Sequence, residues 1–561
     1  MAPDSLPVIK LLPSSVGTPE FEATRRTLIE EFSAKVPQEY HVSSSIIDQP
    51  PRNVISVPRE SGILSEEEID ITENFDAVGL AAAIAAKRFT AVVVAIAFAK
   101  RAIIAHQLTC CLTEWFMDEA IKQAKALDEH LAKTGKTVGP LHGVPISVKE
   151  MIPIAGHHSS LGFLITRHKD DTDSHMIAIL RRAGAVFYCK TAQPQGVMHL
   201  ETVSLYGRVL NPFNINLTAG GSTGGAAALL ALRGSPLSIG TDIGGSIRAP
   251  ASFCGLYGFK PTSYTLPMKN FVGPGGFSAE LNILGSTGPL GVSLRDLDFF
   301  VSVLKAGQPH LEDPRLVPIP WRGLDLQPTK APLKIGFMMN DGVIVPQPPV
   351  TRALNWARAQ LSNSSSFEVK HVTPYRVEEA LRNIQLAFFP DGGKQVKEAL
   401  AATGEPMLPL TKSIIKHAES TGQNLDAAGV LRQRVARDNF RCDFAAHWNK
   451  LDVDVVICPA YVGPACMHET GFFWNYTAFW NYVDYPGVVI PTPIKALEKG
   501  TESYATADAV PLSEQDELVR KFWAEGDFEG APVGIQIVGR KYQDNDLFTA
   551  LQAMAAPLRL Q

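Results

Sequence analysis

The chain has 561 residues, of which 45% are hydrophobic and 19% charged, and its mean hydropathy of +0.03 is that of an ordinary globular protein. A net charge of −5 argues against a general binder of nucleic acid or of an anionic membrane, and points to a neutral or apolar small molecule as partner. Seven cysteines, odd in number and mostly in apolar surroundings such as VVICPA, read as reduced thiols and argue against a disulfide framework.

Met1 opens MAPDSLPVIKLLPSS, which has no basic segment leading into a long apolar run. No signal peptide is therefore expected, and with reduced thiols the expected location is cytoplasmic. Residues 1–75 read as a helical extension packing on the core: FEATRRTLIEEFSAK has apolar positions at helical spacing, and the Pro- and Ser-rich connector VSSSIIDQPPRNVISVPRESG follows. Helices then dominate to residue 135. The most apolar run, FTAVVVAIAFAKRAIIA, is broken by Lys100 and Arg101, too early to cross a bilayer. A buried helix and no membrane span are expected.

From HGVPISVK (142–149) onward, short β-branched runs alternate with helices. DSHMIAILRRAGA reads as a helix capped by Asp173 and stopped at Gly184, AVFYCK as a strand, SLRDLDFFVSVLKAG as a helix. LKIGFMM, VDVVICPA and GIQIVGR read as strands, the last before a closing helix. NPFNINLTAG, with a proline and three asparagines, is a poor strand, and 495–529 reads as a polar surface excursion. The alternation predicts an α/β architecture with a largely buried sheet for residues 76–561.

Three stretches carry candidate chemistry. GVPISVKE ends an apolar strand on Lys149; TAGGSTGGAAALLALRG is a glycine-rich turn opening into a helix; TDIGGSIR sets Ser246 behind two glycines. Taken singly, each has a plain structural reading. Lys149 fits a surface lysine at a strand end. Ser222 fits a helix N-cap, or the nucleophile elbow G-x-S-x-G, which would need a strand immediately before it. No G-K-[ST] follows, so a phosphate-binding Walker loop is excluded. Glycines before Ser246 let the backbone approach a ligand, as an anion cradle or as an oxyanion hole around a nucleophile.

Together and in this order the stretches resemble the amidase signature family, in particular its fungal acetamidase and fatty acid amide hydrolase-like members. The resemblance rests on GGS-x-GG, on TDIGGSIR continuing through APASFCGLYGFKPT, on KTAQPQ and LNPFN upstream, and on APVGIQIVGR near the C-terminus. GILSEEEIDITE and AFAKRAIIAHQLTCCLTE are similar to the acetamidase branch. It implies a central mixed, twisted β-sheet covered by helices on both faces, and an amidase cleaving small carboxylic amides, aliphatic or aryl, to acid and amine without metal or cofactor. Esters, anilides and carbamates fall within the same acyl transfer.

By the same resemblance Ser246 is the acylated nucleophile, Ser222 a bridge on a cis peptide after Gly221, and Lys149 the base. Lysine serves as a base only when neutral, so burial must bring its ordinary pKa of ~10.4 down. Ile243, Gly244 and Gly245 are expected to offer N–H groups to the oxyanion, and Gly196, Val197 and Met198 to run beside the acyl group. Thr223 stands where relatives commonly have serine and is expected to keep a structural hydrogen bond. Asp242 and Arg248 are expected to brace the loop.

FFWNYTAFWNYVDY (472–485) is dense in aromatics, either core packing or an aromatic wall in which Trp474 and Trp480 line the acyl pocket. Cys254 reads as a buried structural thiol. His468–Glu469 lacks the second zincin histidine, and His142, His157 and His158 are unaccompanied, so no metal is expected. Related enzymes are often dimers, so a homodimer is admitted. Two rival readings stand: a partner-dependent amidotransferase subunit of the same fold, and a non-catalytic module using the glycine loops as an anion cradle.

Overall fold

Short runs of β-branched residues between helices assemble into one mixed sheet in a computed structural model that describes residues 6–11, 15–271, 282–326, 332–422 and 425–561. Among the described residues this sheet has eleven strands: β1 (Leu112–Trp115), β2 (Pro145–Lys149), β3 (Val186–Thr191), β4 (Leu237–Asp242), β5 (Tyr257–Lys260), β6 (Ser286–Gly291), β7 (Leu333–Phe337), β8 (Phe367–His371), β9 (Val455–Pro459), β10 (Gly487–Lys495) and β11 (Pro532–Val538). Their spatial order is β1-β3-β2-β4-β6-β5-β10-β11-β9-β7-β8. Side chains alternate between faces along a strand. In β10, Val488 and Ile490 accordingly join one apolar cluster and Val489 the other, so both faces are covered.

Strand β2 runs parallel to β3 on one side and to β4 on the other. The chain leaves β2 toward β3 and leaves β4 in the opposite direction, which opens a crevice at the carboxyl ends of these two parallel strands, the usual ligand position in such sheets. Val148 pairs with Ile239, so Lys149, the last residue of β2, lies near the end of β4 and within reach of Thr241.

Helices of the chain include α1 (Pro19–Ser33), α2 (Ala91–Thr109), α3 (His175–Arg182), α4 (Gly224–Ala231), α5 (Arg248–Phe253), α6 (Val377–Phe388), α7 (Lys394–Thr403), α8 (Pro409–Ser420), α9 (Ala427–Leu451), α10 (Asn475–Val483) and α11 (Glu514–Glu525). Thr18 caps α1 by accepting the Phe21 N–H, and Pro19 sits at the first turn, where its missing N–H costs nothing. Helix α2 is long and apolar enough to cross a membrane by length and composition, yet 78% of that window is buried inside the fold. Its Arg101 is buried and satisfied by Leu232 O, Thr72 Oγ1 and Glu73, so the charged pair does not end the helix. The N-terminal segment lies against α2: Ile9 N–H donates to Gln107 O, and the Gln107 side chain bonds Tyr40 O and Val42 N–H.

Four elements differ from the sequence reading. Leu112–Trp115 is a strand inside the region read as helical. Asp173 does not cap α3; Ser174 is the N-cap, without a side-chain bond, and Asp173 instead accepts from Ala155 N–H and pairs with Arg181. NPFNINLTAG does contain a strand, Asn214–Thr218, but in a separate two-stranded hairpin. Its asparagines support it: Asn211 donates to Thr218 O and Phe253 O, and Asn214 Oδ1 accepts from Asn216 N–H. The 495–529 excursion holds α11, capped by Ser513 and anchored by buried Asp516 and Val519.

Candidate active site

Lys149 closes β2, whose five residues are all buried. Its Nζ lies 2.7 Å from Ser222 Oγ, 2.9 Å from Thr241 Oγ1 and 3.2 Å from Thr223 Oγ1. Among the described residues no carboxylate forms an ion pair with it. Three hydroxyls suit a neutral amine, which donates two hydrogens and accepts one. Burial pulls the amine down to about 7, against the opposing charges of Asp242 and Glu150. Thr241 was not singled out in the sequence; its only signal is its place beside Asp242 at the end of a parallel neighbour of β2.

Ser222 lies between the 214–218 hairpin strand and α4, after a cis Gly221–Ser222 peptide. The N-cap position of α4 falls on Thr223, without a side-chain capping bond, so Ser222 is no cap. Gly221 admits no side chain: a Cβ there would sit 2.5 Å from His199 O. Thr223 N–H donates to Ser246 O at 3.1 Å, which draws the 243–247 loop onto the Ser222 turn. Thr223 Oγ1 also donates to Thr241 O at 3.5 Å.

Ser246 is buried, and among the described residues its hydroxyl makes no hydrogen bond. Strand β4 and α5 hold its loop through buried Asp242. Asp242 Oδ1 accepts from Gly245 N–H, Arg248 Nη2 and Asn481 Nδ2, each at 2.9 Å; its Oδ2 accepts from Ile247 N–H at 3.1 Å and Arg248 Nε at 3.0 Å. Burial opposes this charge, but Arg248 and Asn481 outweigh it and hold the carboxyl below its ordinary range. These bonds correct one expectation: the Gly245 N–H is committed to Asp242. Among the described residues, the amides of Ile243, Gly244 and Ser246 have no acceptor in the protein.

The aromatic stretch divides. Trp474 packs on the loop, with ring carbons 2.7 Å from where a Gly244 Cβ would sit, and Phe388 lies 5.7 Å from its ring. Trp480 instead belongs to an aromatic cluster with Phe444, Trp448 and Phe479. What α10 does present to the loop is polar. Thr477 Oγ1 donates to Gly244 O, and Asn481 joins Asp242 to Arg248. These two residues, one helical turn apart, were hidden in the sequence by the aromatics around them.

Gly196 and Val197 both have left-handed backbone, φ +70° and +60°, and Met198 is half-buried against the cluster of Phe389, Ile415 and Ala418. Cys254 is buried, its thiol pushed up by desolvation. His157 and His158 both face Glu114. Among the described residues no group of three or more His, Cys, Asp or Glu side chains is placed to hold a metal.

Residues 94–548 match the family model Amidase. The chain belongs to the amidase family. A putative amidase of Schizosaccharomyces pombe is 42% identical over 510 residues, covering 90% of this chain and 93% of the relative. The acetamidase of Emericella nidulans is 34% identical over 527 residues, covering 91% and 93%. Among solved structures, a fatty acid amide hydrolase superposes with a TM-score of 0.89 at 31% identity, covering 97% of this chain and 95% of that one. This amidase is thus a hydrolase of carbon–nitrogen bonds in linear amides, on the amidase signature fold.

Proposed function

We propose that the enzyme hydrolyses small carboxylic amides through an acyl-Ser246 intermediate, with Ser222 as proton bridge and Lys149 as base. One observation carries the reading: a fully buried amine, free of carboxylate partners among the described residues, 2.7 Å from Ser222 Oγ. A serine hydroxyl needs a base to become nucleophilic, and an amine brought down to about 7 is half neutral near physiological pH.

In the first half-reaction Ser222 gives its proton to Lys149 Nζ and takes that of Ser246, whose oxygen bonds the substrate carbonyl carbon. The carbonyl oxygen becomes an oxyanion, received by the N–H groups of Ile243 and Gly244 with Ser246's own amide. One such donor contributes ~3 kcal/mol. The ammonium returns its proton through Ser222 to the leaving nitrogen, the C–N bond breaks, and amine departs. Water then repeats the sequence on the acyl-serine, releasing acid and restoring both hydroxyls. Asp242 and Arg248 act on the loop and touch no reacting atom.

Trp474 and Phe388, both packed against Gly244, give the loop an apolar wall suited to an acyl or aryl group. Substrates are therefore aliphatic or aryl amides, with esters, anilides and carbamates open to the same acyl transfer. The enzyme works in the cytoplasm. Turnover by the isolated chain across amides of increasing acyl length tests the reading. Hydrolysis without an added partner supports it; no turnover of any amide by folded protein refutes it and favours a partner-dependent amidotransferase subunit.

A further inference from the structure

The turn at 195–199 is held in an improbable shape. Val197 is β-branched and left-handed, directly after left-handed Gly196. Such a conformation costs ~1–3 kcal/mol and persists only where the surroundings over-determine it. Beyond the turn, His199 O and Glu201 N crowd Gly221, the residue before Ser222, and Thr202 Oγ1 donates to Gly220 O at 2.9 Å. The turn therefore abuts the Ser222 loop.

Its other side is engaged by the connection between α7 and α8. Gln195 is buried and uses its full hydrogen-bonding capacity. Its Nε2 donates to Glu405 Oε1 at 2.8 Å and Pro406 O at 3.0 Å, and its Oε1 accepts from Leu408 N–H at 3.1 Å and Thr411 Oγ1 at 2.7 Å. Since the Thr411 hydrogen goes to Gln195, the same hydroxyl accepts from His199 Nε2, 2.8 Å away. Glu405 Oε2 accepts from Leu164 N–H at 2.8 Å, and the ring of the preceding Phe163 covers Gly196. At its far end the connection meets the N-terminal segment, where Thr18 N–H donates to Gly404 O at 3.0 Å.

We infer that Gln195, His199, Glu405 and Thr411 form a clasp that grips both ends of the Gly196–Met198 turn, sets it against the Ser222 loop and so determines which acyl groups are turned over. The inference rests on the proposed reading in which this turn flanks the acyl group of an amide attacked by Ser246. The four are positioning residues.

Thr411 is the residue to vary, because one hydroxyl holds both ends of the turn. Thr411→Val keeps the shape and removes the bonds; Thr411→Ser keeps the hydroxyl. The measurement is kcat and KM on short- and long-acyl amides, with the rate of Ser246 labelling by a small alkyl fluorophosphonate and Tm as controls. Thr411→Val should lower kcat/KM for the longer acyl groups by about tenfold or more, mostly through KM, as expected when buried bonds that position a site are lost. Labelling should change far less, and Thr411→Ser should restore the wild-type ranking. Unchanged kinetics in Thr411→Val, or an equal loss across all amides and labelling, overturns the clasp alone. A wild type that cleaves amides without being labelled at Ser246 overturns the underlying reading and the clasp with it.

Discussion

Thr477 Oγ1 donates to the carbonyl oxygen of Gly244 at 2.6 Å, pinning the peptide that precedes Gly245 to the aromatic helix α10. Gly245 itself, at φ +131°, has no room for a Cβ beside Thr477, so the loop can neither lift away nor move closer. The aromatic helix thus holds the Gly244–Ser246 loop through Thr477 and Asn481. Thr477→Val should leave that carbonyl unpaired and let the Gly244 amide drift from the substrate oxygen. The expected result is a fall in kcat of ~10- to 100-fold with little change in KM. Thr477→Ser should be close to wild type. Steady-state kinetics on one amide checks both.

Ser246 should be the residue that a serine-directed fluorophosphonate modifies, read by mass spectrometry of the peptide containing DIGGSIR. Ser246→Ala should lose amide turnover by ~10⁴-fold or more and all labelling. An adduct on Ser222 alone would transfer the nucleophile to the glycine-rich turn.

Lys149 should show its role in pH dependence and in the leaving group. With an amine pulled down to about 7 by burial, kcat/KM for amides should rise with pH along one limb centred near that value, as ammonium becomes amine. Lys149→Ala should lose the limb and cut amide turnover by ~10²- to 10⁴-fold. Ester turnover should fall less, because an alkoxide departs without full protonation whereas an amine does not. Equal losses on a matched amide and ester pair, with the limb intact, would make Lys149 structural.

The same burial has a cost in stability whose sign can be checked. The folded amine gives up its proton near pH 7 and the unfolded one near ~10.4, so between these values the unfolded chain holds more protons and stability rises with pH. Lys149→Met should lack this rise in urea titrations. At pH 7 it should be at least as stable as wild type, with a ceiling on the gain of about 5 kcal/mol, reduced because Ser222, Thr223 and Thr241 lose their partner.

Trp474 and Trp480 should part company on substitution. Trp474→Ala opens space against Gly244 and should reorder amides by acyl size while the protein remains folded. Trp480→Ala hollows the cluster with Phe444 and Trp448 and should cost ~3–5 kcal/mol in unfolding with the ranking unchanged. Turnover of an acyl series beside a denaturant titration decides both.

What the sequence determined by itself is what local chemistry dictates. The β-branched run before Lys149 is a strand wherever it packs, though a lysine at its end reads equally as exposed, and glycines at 221, 244 and 245 mark backbone that must approach another group closely. The order of these stretches is that of the amidase family, independent of any contact between them. Strand and helix alternation likewise gave the α/β class, because side-chain period is a property of the backbone. Only the tertiary structure decided which polar groups meet. The Gly245 N–H is spent on Asp242, the brace on Asp242 includes Asn481 at a separation of 239 residues, and the turn at 195–199 is held by Glu405 and Thr411 more than 200 residues on. Thr241 joins Lys149 because β4 pairs with β2, which no spacing within either strand records. A hydrogen bond depends on a few tenths of an ångström between groups that periodicity never relates. A single threonine, asparagine or glutamine in a helix or loop therefore looks the same in sequence whether it faces solvent or holds an active site in place.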